Sequence, residues 1–172
     1  MRAKVLYFLF AGVFSVLFAS CLKDTDFPDE PIIEYKSLER IASDLVLNFK
    51  FTDGDGNFGL EQSDSLSPYD EAPYNHNLIL TYYEKQDGVW KRFGNDFPLF
   101  SPFYSAALFN QTVPWVRPSG QNQTQQGTIS YSLVDPYYNF NSSYDTCRFE
   151  FYIYDRDLNQ SNSQTTDFFL KP

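Results

Sequence analysis

The chain has 172 residues, two cysteines, one histidine and a formal charge of −9. That acidity argues against nucleic acid as a partner and against a basic membrane-surface patch. With a single histidine, His76, histidine-based zinc clusters and most catalytic triads lack their parts.

In chain order the first element is a leader. Met1-Arg2-Ala3-Lys4 carries two positive charges, and an apolar run of 14 residues follows from Val5 to Phe18, broken only by Gly12 and Ser15. A membrane-spanning helix needs about 20 residues, so this run is too short to be one. A basic start, a short apolar stretch and small residues at the end predict a secretory signal over 1–20. The end, Leu17-Phe18-Ala19-Ser20-Cys21, resembles the lipobox of bacterial lipoproteins. The resemblance implies a diacylglyceryl thioether on Cys21, cleavage just before it, and acylation of the new amino group. The alternative is an ordinary secretory cut at Ala19-Ser20, with Cys21 incidental. Each buried CH₂ contributes roughly 0.8 kcal/mol and one acyl chain anchors only marginally, so several chains matter.

Residues 21–31 hold the lipidated cysteine and an acidic, Pro-containing segment that cannot bury apolar surface, which predicts an extended tether. Lys23-Asp24-Thr25-Asp26 resembles the export signal that sends Bacteroidota lipoproteins to the outer face of the outer membrane. The implied location is the bacterial outer membrane, lipid-anchored and facing the cell surface. The alternative is a plain acidic linker.

Beyond the tether, 32–172 is expected to be one domain, and a chain of this size buries about 68–70% of its unfolded surface without staples. Cys21 is spent on lipid, so Cys147 has no intramolecular disulfide partner. It opens a strand pattern, which favours a buried, inert thiol over a nucleophile.

Strand signals recur with turn chemistry between them. Ile32 to Tyr35 is the first. Leu45, Leu47, Phe49 and Phe51 alternate with Val46, Asn48 and Lys50, the period of a half-buried strand. Asp53-Gly54-Asp55-Gly56-Asn57 stops it with a strong turn. Asn77 to Lys85 sets Leu78, Leu80 and Tyr82 on one face. The Asp87-Gly88 signal turns it into a hairpin with Val89 to Phe93. Gln126 to Leu133 groups Ile129, Tyr131 and Leu133. Arg148 to Tyr154 points Phe149, Phe151 and Ile153 inward and Arg148, Glu150 and Tyr152 outward. Thr165 to Leu170 closes the chain. A short helix is expected near Ser105 to Phe109, and 61–75, 94–125 and 134–145 read as long loops. The result is an all-β, antiparallel β-sandwich of about seven strands.

The segment Phe49 to Gly59, with its Asp-Gly-Asp-Gly turn, resembles an element of uncharacterised Bacteroidota lipoproteins. So does the closing element Phe149 to Leu170, in which a strand runs into Asp155-Arg156-Asp157-Leu158-Asn159-Gln160-Ser161-Asn162 and then a last strand. Those proteins are similar to immunoglobulin-like sandwiches, so the resemblance implies that architecture and no particular activity.

The best candidate for chemistry is acidic. Counting Asp53 as position 1, side-chain oxygens of Asp53, Asp55, Asn57, Glu61 and Asp64 fall at 1, 3, 5, 9 and 12, the ligand spacing of an EF-hand loop for calcium. Phe58 stands where such a loop requires glycine, and flanking helices are not predicted. A cadherin-like alternative brings Asp155 and Asp157 to the same end of the sandwich. The structural alternative is a pair of acidic β-turns whose Asp and Asn bond their own backbone. Trp90, Phe103, Tyr104, Trp115, Tyr137 and Tyr138 fall on or beside loops as candidates for glycan or protein contact, against packing under the loops. Asp64-Ser65-Leu66 resembles the O-glycosylation site of exported Bacteroidota proteins.

Together these features predict a non-enzymatic, membrane-anchored binding protein or accessory subunit, with an outer-membrane protein or a glycan as partner. The rival readings are a carbohydrate-binding module, with calcium as the one candidate cofactor, and a small hydrolase using loop carboxylates.

Overall fold

The computed structural model describes residues 27–42, 44–96, 106–119, 123–134 and 143–171. Two antiparallel sheets pack face to face. One holds β1 (Ile32–Ile41), β2 (Asp44–Asp53) and β5 (Gln125–Leu133), in the order β1-β2-β5. The other holds β3 (Leu78–Gln86), β4 (Val89–Arg92), β6 (Thr146–Ile153) and two short strands, β7 (Gln164–Thr165) and β8 (Phe169–Leu170). Its order is β4-β3-β6-β7, with β8 also on β6. With β1 as strand A, these are the A-B-E and C′-C-F-G sets of an immunoglobulin-like Greek key.

The period-2 pattern decides which side chains go inside. Leu45, Leu47 and Phe49 of β2 are buried, as are Leu78, Leu80 and Tyr82 of β3 and Phe149, Phe151 and Ile153 of β6. The register sets Leu45 opposite Leu133 and Leu80 opposite Phe151. Phe49 meets Phe151 across the sandwich, with ring centroids 5.3 Å apart. Tyr82 is the hub of the other half of the core: its ring stacks on Phe109 at 5.1 Å and meets Phe149 edge-on at 5.6 Å. Phe109 reaches there from a short 3₁₀ helix, Ala106–Phe109, close to the expected position. The β3–β4 hairpin turns on Asp87 and Gly88 at φ 50° and 83°, the two positive values a type I′ turn demands.

Side chains close both open edges between the sheets. Asn162 Oδ1 accepts from the Ile33 amide at 2.8 Å, and Asn162 Nδ2 donates to the Ile33 carbonyl at 3.0 Å. Asn77 does the same for Val113 on the opposite side, donating at 2.9 Å and accepting at 2.7 Å. Each carboxamide stands in for a neighbouring strand.

Two strand expectations need correction. β1 runs on to Ile41 and does not stop at Tyr35, because its residues keep pairing with β2 past an irregularity between Tyr35 and Ser37. The expected final strand is split into β7 and β8. Between them the Thr166 hydroxyl, in place of a backbone carbonyl, accepts the Phe149 amide at 3.0 Å, which breaks the ladder.

Candidate functional site

β2 runs straight into a turn that only its own sequence can make. Gly56 sits at φ 70°, and a Cβ there would lie 1.7 Å from the Gln123 carbonyl oxygen. Asp53 is fully buried. Its Oδ2 accepts a 2.8 Å hydrogen bond from the Phe58 amide, while its Oδ1 is buried with no hydrogen-bond partner. Burial pushes the Asp53 carboxyl up to about 7 against the pull of the Phe58 amide, and the nearby Asp55 and Asp155 carboxylates add to the rise. Burial also raises Asp55, whose oxygens take the Asn57 amide at 3.3 Å and Asn57 Nδ2 at 2.7 Å.

The second acidic turn is built on Asp155. Its two oxygens take the Asn159 amide at 2.7 Å and Asn159 Nδ2 at 2.8 Å, a side-chain-capped turn that fixes the carboxylate. Burial raises the Asp155 pKa, and Asp55 and Asp157 push it the same way. The two turns meet: Asn57 Nδ2 donates to Asp157 Oδ2 at 3.1 Å, and Asn57 Oδ1 accepts from the Arg156 amide at 3.4 Å. The fold therefore gathers Asp53, Asp55, Asn57, Asp155 and Asp157 at one end of the sandwich. The tether arrives there too, since Pro28 O accepts from the Gly54 amide at 2.8 Å and Asp29 adds its charge beside Asp55.

Glu61 and Asp64 do not join this group, so the EF-hand-like arrangement does not form. Arg117 Nε donates to Glu61 Oε1 at 2.8 Å. Arg156 grips both oxygens of Asp64, with Nη2 to Oδ1 at 3.0 Å and Nη1 to Oδ2 closer still. The cause is backbone. After the turn the chain leaves extended, with Leu60 accepting from Trp115 at 3.1 Å and donating to Val113 at 3.0 Å, which carries Glu61 and Asp64 to Arg117 and Arg156. Trp115 belongs to the packing of this end: its Nε1 donates to Gly56 O at 3.1 Å, and its ring lies 4.9 Å from the Arg117 guanidinium and 4.6 Å from that of Arg156. Ser65 is exposed beside Leu66, but Asp64 of that three-residue motif is held by Arg156.

A second surface lies on the outer face of the β4-β3-β6 sheet. Arg148 lies 4.3 Å from the Trp90 ring and 5.4 Å from the Tyr83 ring. Lys85 approaches Trp90 at 5.9 Å, and the Tyr83 hydroxyl donates to Glu150 Oε2 at 2.9 Å. The guanidinium Nε of Arg148 is buried with no hydrogen-bond partner. Farther along, Tyr152 meets Tyr154 at 5.4 Å and Tyr154 meets Tyr74 at 5.1 Å. Apart from Trp90, none of these aromatics stands out as a site in the sequence. The signal was there: tyrosines fill outward positions that short polar residues usually take.

The remaining reactive groups are Cys147, in the core, and His76, beside the start of β3. Cys147 is fully buried, 2.7 Å from the Tyr82 hydroxyl, and burial pushes its thiol up to about 11. The Tyr82 hydroxyl also donates to Glu84 Oε1 at 3.1 Å, and Lys171 reaches the same oxygen from the end of the chain. His76 is partly buried, which lowers its pKa, and its Nδ1 lies 3.0 Å from Asn75 Oδ1. Cys21, Phe103, Tyr104, Tyr137 and Tyr138 lie outside the described residues. Among known proteins no family model, no curated protein and no solved structure matches the chain.

Proposed function

We propose that the chain is a non-enzymatic, lipid-anchored binding protein of the bacterial outer membrane, an accessory subunit that holds a protein partner against the envelope. The lipobox-like Cys21 supports the anchor. The observation that carries the binding role is the layered stack of Trp90, Arg148 and Tyr83 on the outer face of β4, β3 and β6. Tryptophan, arginine and tyrosine are the residues that dominate protein interfaces, and strands hold them with little entropy left to lose on binding. Pull-down of the native lipoprotein from detergent-solubilised membranes tests this reading. A stoichiometric partner that W90A no longer retains supports it; recovery of the lipoprotein alone counts against it.

A second reading is a carbohydrate-binding module, favoured by the run of Tyr152 and Tyr154 at the end of β6 with Tyr74 from the neighbouring loop. Aromatic faces pack on the apolar faces of sugar rings, and their hydroxyls supply hydrogen bonds. A glycan array probed with and without calcium separates the two readings; an array with no binder removes the second.

A further inference from the structure

We propose that the outer face of β4, β3 and β6 takes its partner by carboxylates: an extended acidic protein segment, with Asp or Glu at alternate positions, lies across Arg92, Lys85 and Arg148. This rests on the protein-binding reading of the Trp90–Arg148–Tyr83 stack and adds the chemistry of what the stack meets. The chain holds 22 acidic residues against 13 basic ones, so a basic side chain has carboxylates to choose from. Lys36, Lys50, Arg117, Arg156 and Lys171 each meet one. Among the described residues Lys85, Arg92 and Arg148 form no such ion pair, and the strand registers put all three on one face.

Arg148 is the centre of the patch. Its contacts with the Trp90 and Tyr83 rings take part of the guanidinium out of water, and its Nε is buried with no hydrogen-bond partner. Glu150, two residues on along β6, accepts from the Tyr83 hydroxyl instead. A partly desolvated cation without a counter-ion costs free energy, which an incoming carboxylate offsets. A planar fork stacked on rings is also suited to gripping that carboxylate with two hydrogen bonds. Burial and the Glu150 hydrogen bond raise the Tyr83 hydroxyl pKa while Arg92 and Arg148 pull it down, so both guanidinium charges act on the same hydroxyl. The registers set the spacing: Arg92, Tyr83 and Arg148 stand opposite one another on three neighbouring strands, and Lys85 lies opposite Trp90, two residues along β3. Strand geometry then separates the three cations by about 8–10 Å at the backbone. One carboxylate cannot serve all three. Acids at alternate positions of an extended segment, about 6–7 Å apart on side chains that reach outward, can.

The experiment titrates the full-length protein, in a non-ionic detergent at low salt, into a fluorescent peptide of repeating Glu-Thr and reads anisotropy. A Gln-Thr repeat is the neutral control. Wild type should bind the first peptide and not the second, and added salt should weaken the binding. R148Q should weaken it about tenfold or more. K85Q and R92Q, at exposed positions, should weaken it about two- to fivefold each, and they serve if R148Q fails to fold. K50Q, which removes a base on the other sheet that Glu34 already pairs, should bind as wild type does. No binding of the Glu-Thr peptide overturns the proposal. So does undiminished binding by K85Q and R92Q, or a loss in K50Q as large as theirs. Preferential binding of polygalacturonate or of phosphatidylglycerol vesicles overturns it too, because the face then reads an anionic glycan or a membrane. The underlying reading fails separately, when W90A keeps its partner in the pull-down. A partner lost by W90A with no binding of the Glu-Thr peptide leaves an interface that does not select carboxylates.

Discussion

The carboxamide of Asn162 binds both backbone groups of Ile33, a residue 129 positions earlier on the facing sheet. With Gln164, whose Oε1 accepts from the Tyr35 amide at 3.2 Å, it seals the outer edge of β1. An open strand edge invites pairing with other chains, and here the protein's own C-terminal segment covers it. Asn162→Ala removes two hydrogen bonds and leaves the backbone groups of buried Ile33 unmet, a loss of about 1–3 kcal/mol. Urea unfolding should show a lower midpoint with an unchanged m-value, and a stronger tendency to self-associate.

The Asp64–Arg156 pair makes stability depend on pH in a defined direction. Its hydrogen bonds with Arg156 hold the Asp64 carboxyl below the usual carboxylate range, and its side chain is only 11% exposed. Because the folded pKa lies below the unfolded one, the contribution is fully present above the ordinary aspartate value of about 4 and is lost as pH falls through the folded value. Asp64→Asn should lower stability at neutral pH by about 1.5–3 kcal/mol, the range for hydrogen bonds to charged groups. It should also flatten the acid limb of stability against pH. Denaturation midpoints measured from pH 7 down to pH 3 check both.

That pair also shows what a sequence can and cannot disclose. The alternation in β2, β3 and β6, and the Asp87-Gly88 turn, are local, and local chemistry places Leu47, Leu80 and Phe151 correctly. The spacing of Asp53 through Asp64 is local too, but the ligand set it suggests is undone by Arg156, 92 positions away, which claims Asp64. Asn77 reads as the first residue of a strand and Asn162 as the end of a turn, because a carboxamide that imitates a strand is defined by its distant partner. The meeting of the two acidic turns was within reach, since the immunoglobulin-like strand order permits those ends to be neighbours. The stack of Trp90, Arg148 and Tyr83 depends on the β3–β4 and β3–β6 registers, which composition does not specify.

Lys171, next to the last residue, should matter more than its position suggests. Its ammonium meets Glu84 where both side chains are nearly removed from water, 7% and 0% exposed. Breaking a buried pair from one side costs roughly 3–5 kcal/mol, because the other charge stays behind. Lys171→Met should therefore destabilise strongly, and adding Glu84→Gln should recover part of the loss, since a neutral amide still bonds the Tyr82 hydroxyl. A double-mutant cycle by urea denaturation measures the coupling.

Cys147 should be silent in the native state. Its thiol is fully buried and pushed up to about 11 from the usual thiol range, so little thiolate exists at pH 8 and none of it meets solvent. Iodoacetamide at pH 8 should label it only in urea, with native labelling slower by at least about 10²-fold, as local opening governs access. Fast native labelling would place the thiol in a cavity open to solvent.

The two tryptophans should separate binding from folding. Trp115 is locked between Arg117 and Arg156, and its indole holds the Gly56 carbonyl. Trp115→Ala should cost about 2–4 kcal/mol, toward the cost of an aromatic truncated in a core. Trp90 lies on a two-strand hairpin at the outer edge of its sheet, stacked on Arg148 and reached by Lys85. An exposed cation–π contact contributes about 0.5–1 kcal/mol, so Trp90→Ala should move the melting temperature by only a few degrees. If Trp90 is an interface anchor, the same change should cost 2 kcal/mol or more of partner affinity, on the order of a 30-fold loss. Stability and pull-down yield measured side by side decide it: W115A should lose the first, W90A the second. A W90A protein that keeps its partner leaves the outer face of β4-β3-β6 with no role in recognition.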